Sequence, residues 1–370
     1  VKRKDFVKAL DALDWAVSSK PIVEEMGCYR IRGKNLRASD GALLVQVELS
    51  EDTGLDCTVP ASGLKKLLKD LKQDDVTLKI DKGKLAVVAD RVRGRFALAT
   101  SSDKDKNLLD DLSFDAETWQ PATAQLKAAV KMCRFAASKD VSKGVYCGVI
   151  LKDGNAALAT DKLRIGWFQA KTDISAESVV LPAAATALLD KRATEIEEWA
   201  VSNGTVYFRG KGVTWGSRIP AGDYTSKVWE YVKMVDDLKD KAELPASMLD
   251  MLRRHLDQQS EVLEMDRAVT LTFSGKELKV ASTDGVRYEM EETAELAEAV
   301  AADFAFEIKP QCLIDILATT STMLYDATSN KDGDGNTQLK TPFVAFRALT
   351  AEGEHRYLTT IEAPSKGSNG

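Results

Sequence analysis

Apolar residues recur along this chain at two periods, and the switch from one to the other marks out its elements. Over 5–17 the apolar positions are Phe6, Leu10, Leu13 and Val17, spaced by four, three and four, which predicts one stripe of an amphipathic helix closed by Lys20-Pro21. Runs of mixed or alternating character at 28–31, 35–38 and 42–49 predict strands, joined at Gly33 and Asp40-Gly41, both strong turn signals. A strand at 56–59 leads into the clearest helix, 61–72. There Leu64, Leu67, Leu68 and Leu71 face one way, and Lys65, Lys66, Lys69 and Lys72 face nearly the opposite way. Strands at 76–80, 85–89 and 95–100 follow.

The same order then repeats. A helix after Pro121 carries Leu126, Ala129, Val130 and Cys133 on one face, with Lys127, Lys131 and Arg134 beside it. Strands at 145–151, 156–159 and 164–169, a helix at 183–194, and strands at 198–201, 205–209 and 213–219 complete the second copy. A third copy opens at Pro245 with a helix at 247–256. Local motifs keep step with this order: Ser39-Asp40-Gly41, Thr160-Asp161-Lys162 and Thr283-Asp284-Gly285 place their aspartates 121 and 123 residues apart. Strand-to-helix junctions at Pro60 and Pro182 lie 122 apart, with a looser echo at Pro310, and a proline costs no hydrogen bond at such a junction. The expected organisation is α+β, three tandem domains at 1–113, 114–236 and 237–363, each one αβ unit used twice. The segments 101–120 and 220–244 read as linkers, 330–336 as a loop insertion and 364–370 as a disordered tail.

Composition narrows the function. With 370 residues and 44% hydrophobic content the chain can bury a sizeable core, and no leader-like stretch or long apolar run interrupts it, so a soluble, cytoplasmic protein without membrane contact is expected. Five scattered cysteines without a C-x-x-C pair are expected to be reduced core residues. Asn330-x-Asp332-x-Asp334-Gly335 imitates a calcium loop, but its twelfth position is Thr341. No phosphate-binding glycine motif is present, and His255 and His355 are not spaced with other ligands. No catalytic residue, metal or cofactor is therefore expected. Net charge is −6, yet bases recur on the predicted helices: Lys65, Lys69 and Lys72, then Lys127, Lys131 and Arg134, then Lys191 and Arg192, then Arg253 and Arg254. If those helices share one surface, that surface suits a phosphate backbone read by charge alone.

The domain period, the Ala-Thr-Asp-x-x-Arg-Ile stretch at 159–165, the strand-Pro-helix element at 179–189 and a final strand led by Tyr357 together resemble the beta sliding clamps of bacterial DNA polymerase III, over the whole length to about Ala363. The resemblance implies three repeats of the clamp fold, helices lining a central hole, antiparallel sheets outside, and a head-to-tail homodimer. It implies a processivity factor that encircles duplex DNA without sequence preference and tethers the replicative polymerase and the clamp loader.

It also implies particular residues. Lys20 and Lys139 join the helix-borne bases as DNA contacts. A partner-peptide pocket between the second and third domains would include Tyr146, Thr160, Leu163, Arg164 and Ile165, with Leu358, Thr360 and Ile361 from the last strand. The chain departs from the family pattern at Lys162-Leu163, where Gly-His is common, at Ala183-Ala184 after Pro182, where Arg-Lys is common, and at Thr360-Ile361-Glu362-Ala363, where the chain usually ends in a Met-Pro-Met-Arg-Leu type. These departures suggest a divergent member and raise phage origin beside a host chromosomal one. The alternative reading is a monomeric three-repeat scaffold that binds proteins without encircling DNA.

Overall fold

The computed structural model describes the chain apart from residues 100–106, 108, 111–113, 115, 153, 176, 223–225, 332–336 and 365–370. In chain order, α1 (Arg3–Leu13) and a 3-10 turn (Asp14–Ala16) precede β1 (Cys28–Arg32), β2 (Asn35–Ser39), β3 (Leu43–Glu48) and β4 (Asp56–Pro60). Then come α2 (Ala61–Asp70), β5 (Thr77–Asp81), β6 (Lys84–Ala89) and β7 (Val92–Ala97). The order recurs with β8 (Gln120–Pro121), α3 (Ala124–Cys133), β9 (Val149–Lys152), β10 (Ala156–Thr160), β11 (Arg164–Ala170), β12 (Val179–Leu181), α4 (Ala183–Lys191), β13 (Glu198–Ser202), β14 (Thr205–Gly210) and β15 (Val213–Arg218). The remainder holds α5 (Ser226–Met234), β16 (Asp240–Glu243), α6 (Met248–Gln258), β17 (Val269–Ser274), β18 (Glu277–Thr283), β19 (Glu289–Glu295), β20 (Phe304–Ile308), α7 (Pro310–Leu317), β21 (Thr322–Tyr325), β22 (Ala327–Lys331), β23 (Thr337–Leu339), β24 (Phe343–Leu349) and β25 (Gly353–Thr360).

Several expectations change. α2 stops at Asp70 because Leu71 turns to extended backbone and buries its side chain, so Lys72 is not on the helix. The strand expected from 145 starts at Val149, since Val141–Cys147 forms 3-10 turns broken at Gly144, whose φ of 56° suits glycine. The strand expected at 95–100 sits at Val92–Ala97. The linker 220–244 is not irregular: Val228, Val232 and Val235 have helical spacing, and Val232 and Val235 are buried by α5 and the turn after it. Most of the 330–336 insertion and of the 364–370 tail lies outside the described residues.

The contacts group residues 1–123 with 181–220 as one compact unit, and 124–180 with 221–370 as another. In the first unit an eight-stranded sheet runs in the order β4-β1-β2-β3-β15-β14-β13-β8, and β5-β6-β7 form a separate sheet. β3 and β15 pair antiparallel with Val45 opposite Trp215, so this sheet crosses the expected domain boundary. α1 lays Phe6, Leu10 and Leu13 against it, and α2 contributes Leu64 and Leu68, all 1% exposed or less; burying each such side chain is worth about 2 kcal/mol.

In the second unit the order is β12-β9-β10-β11-β25-β24-β21-β16, and a six-stranded sheet runs β19-β18-β17-β20-β23-β22. Its core stacks Phe273 on Phe304 at 4.6 Å, and the Tyr357 hydroxyl donates to the Cys312 carbonyl at 2.6 Å. α3 packs on β11 at Gly166, where a Cβ would stand 3.2 Å from the Cys133 carbonyl oxygen. Four of the five cysteines are buried, and Cys147 is half-buried; all are free thiols.

Candidate nucleic-acid interface and docking cavity

The bases of the first unit collect around the 3-10 turn that follows α1. Lys65 lies 2.7 Å from Asp11 and also binds Asp14, while Lys69 lies 2.9 Å from Asp11. Burial works to lower the Lys65 pKa, but hydrogen bonds to the two aspartates outweigh it and hold it above its ordinary value. Burial likewise opposes ionisation of Asp11, yet Lys65 and Lys69 keep its carboxyl below the usual range. The next residue, Trp15, carries Lys191 and Arg192 over its ring at 5.4 and 5.0 Å, and Arg192 also lies 2.8 Å from Glu195. Beside this cluster is a hollow of about 790 Å³ bounded by Ser19, Pro21, Lys66 and Lys69, and Lys20, between the first two in sequence, is exposed. The structure thus brings Lys65, Lys69, Lys191 and Arg192 together and leaves Lys72 apart.

In the second unit α3 carries Lys127, half-buried, and Lys131, exposed; Arg134 follows in a 3-10 turn and Lys139 in an exposed loop. On α6, Arg253 is 3.7 Å from Asp250, and Arg254 grips Glu292 of β19 through two nitrogens, one at 3.1 Å. Of the candidate bases, Lys20, Lys72, Lys131, Lys139 and Lys191 are exposed and, among the described residues, without an ion pair. Lys65, Lys69, Arg192, Arg253 and Arg254 are held by carboxylates of the same chain, and pairs near a surface are weak enough that a phosphate could displace a carboxylate at small cost.

Of the eight residues expected at a peptide pocket, Thr160, Arg164, Ile165, Leu358 and Thr360 lie on strands of one sheet, and Tyr146, Leu163 and Ile361 on the segments beside them. Thr160 lies opposite Ile165, and Ile165 opposite Leu358, forming one row across β10, β11 and β25. Over the same face runs α5: Tyr231 meets the Phe343 ring edge-on at 6.1 Å, and Arg356, stacked on Trp167, donates to the Val232 carbonyl at 3.3 Å. Thr160 and Leu358 are 2% exposed. Thr360 is tied to Leu163 by a 2.8 Å backbone hydrogen bond, the Ile361 N–H donates to Pro342, and Tyr146 carries Lys162 over its ring at 4.8 Å.

Arg164 points the other way, because successive strand residues face opposite sides. Its guanidinium bridges Asp161, at 2.9 Å, and Asp315 of α7, at 7% side-chain exposure. Arg164 is therefore a largely buried tie between β11 and α7.

On this helix side lies a cavity of about 540 Å³. Of the eight expected residues only Leu163 and Arg164 line it; Lys139, expected as a DNA contact, is on its rim. The rest of the wall includes Leu256, Leu263, Arg267 and the start of α7 at Lys309 and Pro310. These residues carried no sequence signal. They come from segments far apart in the chain, and neither periodicity nor spacing reports that a fold will juxtapose them.

No family model and no curated protein sequence matches the chain. Solved structures do. The beta subunit from DNA polymerase of Streptococcus pyogenes matches with a TM-score of 0.76 and 16% identity, over 98% of this chain and 99% of that one. The DNA polymerase III beta chain from Streptococcus pneumoniae TIGR4 matches at 0.77 and 15%, over 98% of each chain. The DNA polymerase III beta subunit from Thermotoga maritima matches at 0.75 and 15%, over 99% of each. Over nearly its whole length the chain has the fold of these beta subunits, with a sequence far diverged from theirs, which bears out the resemblance read from the repeats and motifs.

Proposed function

We propose, on the basis of a fold shared with DNA polymerase III beta subunits, that this protein is a sliding clamp: a homodimeric ring of three domains per chain that encircles duplex DNA and tethers a replicative polymerase. The observation that carries the reading is the match to those beta subunits over 98–99% of the chain. A clamp acts by topology and effective concentration, not by turnover, so no catalytic group is required. Its helix-borne bases meet phosphates one weak contact at a time, which permits sliding.

Two edge strands support head-to-tail closure. β7, at the edge of its sheet, is flanked or occupied by exposed Arg91, Arg93 and Arg95, and β19, at the edge of another, by exposed Glu289, Glu291 and Glu295. Unpaired edges of opposite charge favour pairing between copies and disfavour pairing of like with like. The polymerase and the clamp loader would dock at the cavity beside Leu163.

A scaffold that never encircles DNA is the second reading, favoured by one observation: Lys65, Lys69, Arg192 and Arg254 already have carboxylate partners in their own chain. Threading separates the two. Protein is allowed onto bead-bound linear duplex through its free end, which is then capped with streptavidin. The clamp reading predicts retention through a high-salt wash and release when the duplex is cut. Retention independent of the cap, or none, contradicts it.

A further inference from the structure

The face of β11, β24 and β25 that carries the Thr160–Ile165–Leu358 row is occupied by a helix of the same chain. α5 packs on β11, and it and the turn after it bury Val232 and Val235. Tyr231 meets Phe343 of β24 edge-on. Arg356 of β25, stacked on Trp167 of β11 at 5.0 Å, donates to the Val232 carbonyl at 3.3 Å and to Asp236 at 2.7 Å. Its charge thus faces the last carbonyls of α5, which have no partner within the helix. At the other end a Cβ on Gly222 would stand 3.2 Å from Val145 Cγ1, so the chain enters α5 close against the segment that holds Tyr146. This cover is thin. A helix of nine residues does not hold itself. α5 buries only Val232 among its described side chains, and leaves Tyr231 40% and Met234 36% exposed, whereas α6 buries Met248, Met251, Leu252 and His255. The sheet beneath does not depend on it: β11, β25 and β24 are paired along their length, and α3 packs on the other face of β11.

We propose that α5 is an autoinhibitory cover: the chain closes the Thr160–Ile165–Leu358 row with its own helix, and, on the reading that this protein tethers partners, a partner reaches that row only when α5 lifts. The cavity beside Leu163, on the opposite side of the sheet, stays open throughout. Two apolar side chains, one ring contact and the Arg356 latch set the closed fraction, and the affinity of this face for any outside chain falls in proportion to the open fraction. A helix that merely completed the fold would behave differently, since loosening it would loosen the strands below. A cover lifts and leaves β11 and β25 in place.

The probe is a fluorescently labelled synthetic peptide of residues 226–237, added to the full chain and to Tyr231→Ala/Asp236→Ala, which trims two exposed side chains that hold α5. Losing the ring contact and the ion pair should open α5 about tenfold more often. The variant should therefore bind the peptide about tenfold more tightly than wild type in fluorescence anisotropy. Hydrogen exchange of the α5 amides should quicken by a similar factor while that of β11 and β25 stays unchanged. Asp236→Ala alone should fall between the two. Equal affinity for wild type and variant, or no binding to either, would overturn the proposal. So would exchange that quickens in β11 and β25 together with α5, which would make the helix part of the sheet's own fold. The capped-duplex assay separates this outcome from the fate of the clamp reading. Retention of both proteins with equal peptide affinities would remove the cover and leave the clamp, whereas tighter peptide binding by the variant without retention of either protein would remove the clamp and leave α5 a displaceable cover.

Discussion

His355, on β25, is 1% exposed, meets the Phe135 ring edge-on at 5.9 Å, and neither of its ring nitrogens has a hydrogen-bond partner among the described residues. Burial pushes its pKa down from 6.5 to about 4. The unfolded chain then binds a proton between pH 6.5 and 4 that the native chain refuses, so stability from this group is complete above pH 6.5 and is lost as pH falls toward 4. The loss is about 3 kcal/mol. In urea titrations, wild type should lose about that much more stability between pH 7 and pH 4 than His355→Leu does; parallel losses would mean the imidazole is not held neutral. Its counterpart His255 lies on α6 beside Arg253 and Arg254, as the sequence predicts, but turned inward, with Nδ1 2.6 Å from the Ser282 hydroxyl. Period places His255 on its helix, whereas the final strand is read only from Tyr357 and leaves His355 unassigned; β25 in fact begins at Gly353. Period and spacing could not tell which histidine would be enclosed, since that depends on what packs across from it.

At the scale of elements, strong patterns were legible and weak ones were not. The leucine stripe of α2 gave its helix and its buried face, and Pro60, Pro182 and Pro310 marked helix starts, as the N-caps of α2 and α4 and the first residue of α7. α5 was missed because its valines lie among charges and beside Trp229 and Tyr231, a composition that also fits a loop. The edge strands carry a prediction of their own. Reversing Arg91 and Arg93 to Glu should shift the protein toward monomer in sedimentation velocity, more so at low salt, where like charges on opposed edges repel most. Adding Glu289→Arg and Glu295→Arg to the same chain should restore association. If the first pair of changes leaves the dimer unaltered, these edges are not where copies meet.

For the whole molecule, the repeat of about 122 residues in the sequence predicts tandem copies of one αβ design, but not how sheets continue from one to the next. The pairing of Val45 with Trp215, or of Ile165 with Leu358, joins strands far apart in the chain. Alternation fixes which face of a strand is buried and leaves its partner open. The candidate site shows the same limit: Arg164 and Ile165 are neighbours in sequence and occupy opposite faces. The central claim, a closed ring of two chains, is tested most directly by solution X-ray scattering with absolute mass. The account predicts a particle of twice 40.4 kDa with the distance distribution of a hollow object. A 40.4 kDa particle at micromolar concentration, or a dimer without a hollow centre, would contradict it.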